Sequence, residues 1–262
     1  MNQTLTLFIV LFTFAFSLSC SDDDENSLRI EQKENDKWVS AQSLSLDVKS
    51  TLEFRIKGGN GTYKVVVTDK DENSMYSEIA SADTYEPGVY KVTPYKVGTT
   101  RITITDADNN SLKVNLEVKA GIKKIYTGDV GVEIDGISDA DKTLLLSEMD
   151  NNILFKKHNI IVLAYITTQS GKVTITDSKE KELHTGEFSE NLKISGNTYG
   201  EMTFSVDNIT HTYMISPSGI YPPLRSLGPV LLYFTENIID QYKEKYPDLK
   251  IARIITSVSY PR

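Results

Sequence analysis

The residues of this sequence that could perform chemistry are few. Cys20 is the only cysteine in 262 residues, so the chain can form neither an internal disulfide nor a cluster of thiolates around a metal. Ser178 and Lys181 match a Ser-x-x-Lys pattern, in which a lysine activates a serine nucleophile. They stand in a polar stretch between strand-like segments, where the lysine stays protonated. A solvated hairpin is therefore the better interpretation, and we expect no catalytic residue here.

Several aspartates have the spacing of metal ligands, but ordinary backbone roles explain them. Three Asp-x-Asp pairs occur, at 69/71, 106/108 and 139/141. Their oxygens are of the kind that calcium prefers, but none has the glycine and the distant glutamate of a calcium loop. The first two pairs fit turns and the third fits the start of a helix, where aspartate is favoured for backbone reasons. The sequence thus predicts no bound metal and no cofactor.

The best candidates for binding are aromatic side chains in glycine-rich connections. Tyr199 stands in the run SGNTYG (195–200), and Tyr221 stands in the run SPSGIYPPLR, which ends at Arg225. An aromatic ring held on a loop near a guanidinium can stack on a sugar or anchor a protein partner. We therefore predict Tyr199, Tyr221 and Arg225 as ligand-binding residues. The alternative is that the second loop folds back and covers the sheet or helix beside it.

The net charge of −8 is concentrated near the N-terminus, where Asp22, Asp23, Asp24 and Glu25 supply −4 in one run. The remainder of the chain is close to balanced, and it has no cluster of lysine and arginine. Binding to nucleic acid needs such a basic surface to replace counterions on phosphates. We therefore exclude nucleic acid as a partner.

The N-terminal residues predict an exported, lipid-anchored protein. Residues 5–18 form an uncharged, mostly apolar run that is too short to span a bilayer but fits the core of a secretory signal. Ser19 and Cys20 follow directly, and then Ser21 and the acidic run. This pattern resembles the lipobox and the export tether of Bacteroidetes-type surface lipoproteins. The resemblance implies a signal peptide over 1–19, lipidation of Cys20, a tether over 20–26 in which Ser21 to Glu25 act as the export signal, and a surface-exposed place on the outer membrane. An ordinary cleaved signal or a buried strand are the alternatives.

Residues 27–120 alternate apolar and polar side chains in about seven short runs separated by turn residues, which predicts an all-β sandwich. The runs GGNGTYKV (58–65), VGTTRITITD (97–106) and KVNLEV (113–118) resemble those of bacterial Ig-like domains, in which a Gly-Thr pair opens the next-to-last strand. The resemblance implies an Ig-like spacer or adhesive module. It says nothing of a ligand.

Residues 121–262 are predicted to form a second domain, of the α+β class, with a mainly antiparallel sheet and two helices. Ser138 precedes a helix-like segment that reaches Met149, with aspartates in its first turn. A second helix is predicted over 229–246, because Leu231, Phe234, Ile238 and Tyr242 form one apolar stripe. The apolar run 160–166 predicts a central strand covered on both faces. The predicted fold is thus an N-terminal all-β Ig-like sandwich followed by an α+β domain.

Together these features favour a non-enzymatic lipoprotein whose Ig-like spacer presents a C-terminal domain that binds an extracellular glycan or protein. A cell-envelope enzyme is one alternative, with a site assembled from residues such as Glu182, Glu187, Glu201 and His211. A structural subunit of a surface assembly, which would pair through exposed strand edges, is the other.

We predict that Cys20→Ala leaves the protein unprocessed or free in the envelope, because the rest of the sequence contains no apolar run long enough to hold it in a bilayer. The measurement is the partition of wild type and variant between membrane and soluble fractions. Equal recovery of both in the membrane fraction would contradict the predicted anchor.

Overall fold

The structure is a computed structural model that describes residues 27–69, 76–193, 198–217 and 230–260. Strands account for 63% of these residues and helices for 8%. The first half contains nine strands: β1 (Arg29–Glu34), β2 (Lys37–Ala41), β3 (Ser43–Asp47), β4 (Leu52–Lys57), β5 (Tyr63–Thr68), β6 (Ala80–Glu86), β7 (Val89–Pro94), β8 (Gly98–Asp106) and β9 (Ser111–Lys119). The second half contains β10 (Gly121–Asp135), α1 (Asp139–Asp150), β11 (Ile160–Tyr165), β12 (Ser170–Thr176), β13 (Glu182–Asn191), β14 (Gly200–Val206), β15 (Ile209–Pro217), β16 (Val230–Asn237), α2 (Ile239–Tyr242) and β17 (Ile251–Tyr260).

The first nine strands form two sheets, one with the order β2-β1-β4-β7-β6 and one with the order β3-β9-β8-β5. Alternating side chains of both sheets, such as Phe54 on β4 and Ile104 on β8, are fully buried in a shared core. β3 pairs parallel with β9, while the other pairs are antiparallel.

The second half forms a closed barrel in which β10 to β17 follow one another around the circle, each antiparallel to the next, and β17 pairs with β10. The inward positions are mostly apolar, as with Phe188, Phe204 and Phe234. The side chains between them point outward and are largely polar, as a barrel with a packed interior requires. A smaller apolar cluster lies outside this core, where α1 packs on the extended ends of β10 and β17.

The prediction of an Ig-like sandwich followed by an α+β domain is wrong. In the first half the turn residues indicated hairpins, but turn chemistry does not fix the order of strands within a sheet. In the second half the error lies at 229–246: Val230–Asn237 is the strand β16, and the helix is limited to Ile239–Tyr242. The apolar stripe fits a helical period, but Leu232, Phe234 and Glu236 also fit the two-residue period of a strand. Pairing with β15 and β17 on both sides favours the strand.

Two other expectations from the sequence can be compared directly with the structure. The helix after Ser138 is confirmed, since the Ser138 side chain accepts a hydrogen bond from the backbone N–H of Asp141. The apolar run 160–166 does form a strand, but only Ile161, Leu163 and Tyr165 are fully buried, so the prediction of two covered faces is wrong.

The change from sheets to barrel falls at the predicted boundary, because Ala120 alone separates β9 from β10. Backbone hydrogen bonds also cross between the halves: Val97 donates to the carbonyl of Ile166 at 2.7 Å, and Thr168 donates to that of Tyr95 at 3.2 Å. The division into independent domains over 27–120 and 121–262 stays a prediction. None of the helices in the described ranges has the length and apolar character that a membrane crossing needs.

We predict that Gly171→Ala lowers the free energy of unfolding by about 1–3 kcal/mol. Gly171 is the second residue of β12, and a Cβ there would lie 2.0 Å from the backbone oxygen of Ala164, so the strand would have to shift. Urea unfolding measures the change.

Gly131→Ala is the matched control, because a Cβ at this β10 position comes no closer than 4.0 Å to its neighbours. We expect it to be neutral or slightly stabilising. An equal loss of stability in both variants would show that the close approach at Gly171 does not constrain the barrel.

Candidate functional site

The barrel has a pocket at the end where β10 begins and β17 ends. Its volume is about 670 Å³, within the usual range for small-molecule sites. The apolar part of the lining consists of Ile122, Leu192, Tyr199, Met202, Ile215, Leu232 and Tyr260. The charged part consists of Lys123, Lys124 and Glu190. We call this the entry pocket.

The entry pocket opens where two neighbouring strands separate. Among the described residues, pairing between β10 and β17 starts at Tyr126 and Ser259, and residues 121–125 pair only with β11 on their other side. The described part of the barrel therefore has an opening over the first residues of β10. Lys123 lies in this opening. It stands two residues before Ile125 on β10, so both residues are on the face of the strand that turns into the barrel.

An aromatic cluster fills the barrel beneath the entry pocket. Phe204, Tyr213 and Phe234 each lie two residues from a lining residue of the same strand, on the side toward the middle of the barrel, and each is almost fully buried. Phe155, from the segment between α1 and β11, packs among them with ring centroids 4.9–6.2 Å away. The pocket is thus limited to one end of the barrel.

The carboxylate of Glu190 is buried at the pocket edge, and both of its oxygens are occupied. Lys49, from the first half of the chain, places its Nζ 2.7 Å from Oε1, and the hydroxyl of Tyr165 donates to Oε2 at 2.7 Å. Burial, reinforced by this carboxylate, raises the pKa of Tyr165 far above its ordinary range, so the phenol remains a donor. Lys49 also donates to the carbonyl of Thr168 at 2.8 Å, which ties the first half to this end of the barrel.

Lys123 has no such carboxylate partner. Its Nζ lies 4.2 Å from the centroid of the Tyr260 ring, and within the described residues it makes no ion pair. Burial lowers the pKa of Lys123 below its ordinary value, because removing an ammonium from water disfavours the charged form.

Of the binding residues predicted from sequence, only Tyr199 lies among the described residues. Its ring lines the entry pocket and packs against the barrel core, and its N–H donates to the carbonyl of Ile215 at 2.8 Å. Tyr221 and Arg225 lie outside the described residues, as do Cys20 and Ser21, Asp22, Asp23, Asp24 and Glu25. Pro217, the last described residue before the loop that carries Tyr221, ends β15 at the same end of the barrel.

The predicted turn chemistry is confirmed where the structure describes it. Asp106 accepts hydrogen bonds from the backbone N–H groups of Asp108 and Asn110. Asp177 accepts from those of Lys179 and Lys181 in the hairpin that carries the Ser-x-x-Lys match. Within the described ranges, no group of three histidine, aspartate or glutamate side chains could hold a metal ion.

The residues named for the alternative enzyme site do not come together. Glu182, Glu187 and Glu201 are exposed, whereas His211 is buried inside the barrel. Sequence analysis also missed Lys123 and Glu190. The alternation of Lys123 with Ile125 was a usable signal for an inward lysine, but the contact between Lys49 and Glu190 joins distant parts of the chain and leaves no local pattern.

The comparisons with known proteins add no family. No family model matches this chain, and no curated protein matches it. The function is therefore inferred from the geometry of the entry pocket and from the residues that surround it.

Proposed function

We propose that this protein is a lipid-anchored outer-membrane protein, displayed at the cell surface, that binds an extracellular ligand in its entry pocket. The ligand has an apolar body and one acidic group. The single observation that carries the proposal is the half-buried ammonium of Lys123, which has no ion pair within the described residues and borders an apolar pocket. Lipidation at Cys20 and surface display are supported by the N-terminal sequence pattern.

The charge of the ligand follows from the surroundings of Lys123. A partly buried ammonium loses hydration, and the ring of Tyr260 compensates for only part of the loss. A ligand anion about 4 Å away would contribute about 4 kcal/mol at an effective dielectric constant near 20, against about 1 kcal/mol in water. An acidic ligand is therefore favoured over a neutral one.

The apolar lining determines the remainder of the ligand. Tyr199, Met202 and Leu232 offer surface for an aliphatic or aromatic group. A glycan would need several polar partners inside the pocket, and the two oxygens of Glu190 are already occupied by Lys49 and Tyr165. The lining thus favours a small amphiphilic acid over the glycan considered in the sequence analysis.

We predict that Lys123→Met weakens binding of 1-anilinonaphthalene-8-sulfonate by about tenfold, as expected for losing a charge-assisted contact. The dye joins an aromatic body to one sulfonate. Fluorescence titration of residues 27–262, which contain every described strand and helix, measures its affinity. N-phenyl-1-naphthylamine, a similar neutral dye, should bind the variant and the wild type equally.

The matched control is Lys172→Met, which removes the same charge from an exposed position paired with Glu187 on the outer face of the barrel. It should leave both affinities unchanged. If both lysine variants weaken sulfonate binding equally, the dye responds to net charge and the proposal is wrong.

We further predict that the affinity for the sulfonate falls as the pH rises through the lowered pKa of Lys123, before an ordinary lysine would titrate. The sulfonate of the dye stays ionised over this range, so a change in affinity comes from a titrating group of the protein. The other charged or titratable groups around the pocket are Lys49, Lys124, Glu190, Tyr165, Tyr199 and Tyr260. Burial raises the pKa of Tyr165 and Tyr260, which keeps these two phenols neutral over this range.

Titrations from about pH 7 to about pH 10 test this dependence. Lys123→Met should bind weakly and show a flatter profile than the wild type. The same pH profile in both proteins would assign the effect to another group and remove the support for Lys123 as the anchor.

A further inference from the structure

A second pocket lies at the opposite end of the barrel, and a buried, hydrogen-bonded pair of side chains forms part of its wall. His211 on β15 and Glu236 on β16 both point inward, and their side chains are only 9% and 4% exposed. The Nδ1 atom of His211 lies 2.9 Å from Oε1 of Glu236. In this contact Nδ1–H donates to Oε1, so the imidazole supplies no donor to Oε2.

The second oxygen of Glu236 is the unusual feature. Oε2 is buried and has no hydrogen-bond partner among the described residues. Tyr213 lies directly opposite Glu236 across the sheet. Burial, followed by the effect of this carboxylate, raises the pKa of Tyr213 well above its ordinary range, so the phenol stays neutral and cannot balance the charge. An unpartnered carboxylate oxygen in an apolar interior is costly, and it favours an incoming hydrogen-bond donor.

The pocket beside Glu236 has a volume of about 430 Å³. Leu154, Ile238 and Ile254 give it apolar walls, and Gln241 adds an amide. Lys156 lies on the rim with an exposed side chain and makes no ion pair with Glu236. His184 and Asp207, also on the rim, are 2.6 Å from each other and so satisfy one another.

We propose that this second pocket binds a small organic cation, in which a primary ammonium group stands next to an apolar group. The ammonium donates to Oε2 of Glu236 and compensates its charge, and the apolar group contacts Ile238 and Ile254. An ammonium fits better than a hydroxyl because it supplies both a donor and a positive charge. The aromatic cluster separates this site from the entry pocket, and the two sites prefer ligands of opposite charge.

The test compares two probes of similar shape, cyclohexylmethylammonium and cyclohexylmethanol. Calorimetric titration of the full chain in detergent micelles, corrected with micelles alone, should show that the wild type binds the ammonium about tenfold more tightly than the alcohol. Glu236→Gln should abolish this preference. Glu187→Gln, which removes an exposed carboxylate from the outer face, should keep it.

Two further variants separate the proposal from a purely structural effect. Tyr213→Phe keeps the carboxylate, so it should retain the preference for the ammonium. Lys123→Met changes only the entry pocket and should also retain the preference for the ammonium. Failure of the function proposed for the entry pocket can therefore be told apart from failure of the proposal for the second pocket. Thermal unfolding shows whether Glu236→Gln stays folded, which we expect because it removes a buried charge.

Equal binding of the two probes by the wild type would overturn the proposal. So would retention of the ammonium preference by a folded Glu236→Gln variant. If Glu236→Gln does not fold, the comparison of the two probes on the wild type and on Tyr213→Phe still decides the question.

Discussion

The pairing of β10 with β17 is the constraint on which the second half of the molecule depends. It closes the barrel, and closure requires every strand to turn alternate side chains into one interior. The pairing extends from Tyr126 and Ser259 to Asp135 and Ile251, with a shift in register between Thr127 and Val130. Because it stops short of residues 121–125, the described residues leave an opening on one side of the barrel. The entry pocket is a consequence of where this pairing ends.

The interior of the barrel is divided by polarity along its axis. Aromatic rings pack in the middle, and ionisable side chains lie toward the two ends. At one end Glu190 has two partners, whereas Lys123 makes no ion pair with any described residue. At the other end His211 satisfies only one oxygen of Glu236. Among the described residues, each end thus has one ionisable group with an unmet interaction, an ammonium at the first end and a carboxylate oxygen at the second.

Local signals in the sequence predicted local structure well. Ser138 with the following aspartates predicted the start of α1, and the turn at Asp106 was predicted from its side-chain chemistry. The prediction for the β16 segment was wrong because Leu231, Phe234 and Ile238 fit a helical stripe. Only pairing with distant strands decides between helix and strand there. Tyr199, predicted because it is an aromatic residue in a glycine-rich connection, lines the entry pocket, and its role in binding stays a prediction. Lys123, Glu190 and Glu236 gain their roles from partners across the barrel, which periodicity cannot show.

The closure of the barrel also affects the order in which contacts form as the protein folds. β10 is the first strand of the barrel to leave the ribosome, and β17 is the last. The other neighbours in the barrel follow each other along the chain, so this contact joins the two barrel strands that lie farthest apart in the sequence. Contacts between such distant segments carry a high entropic cost and form late in folding. The barrel therefore closes only after β17 has been made, and both pockets, each lined in part by a residue of β17, are completed in that step.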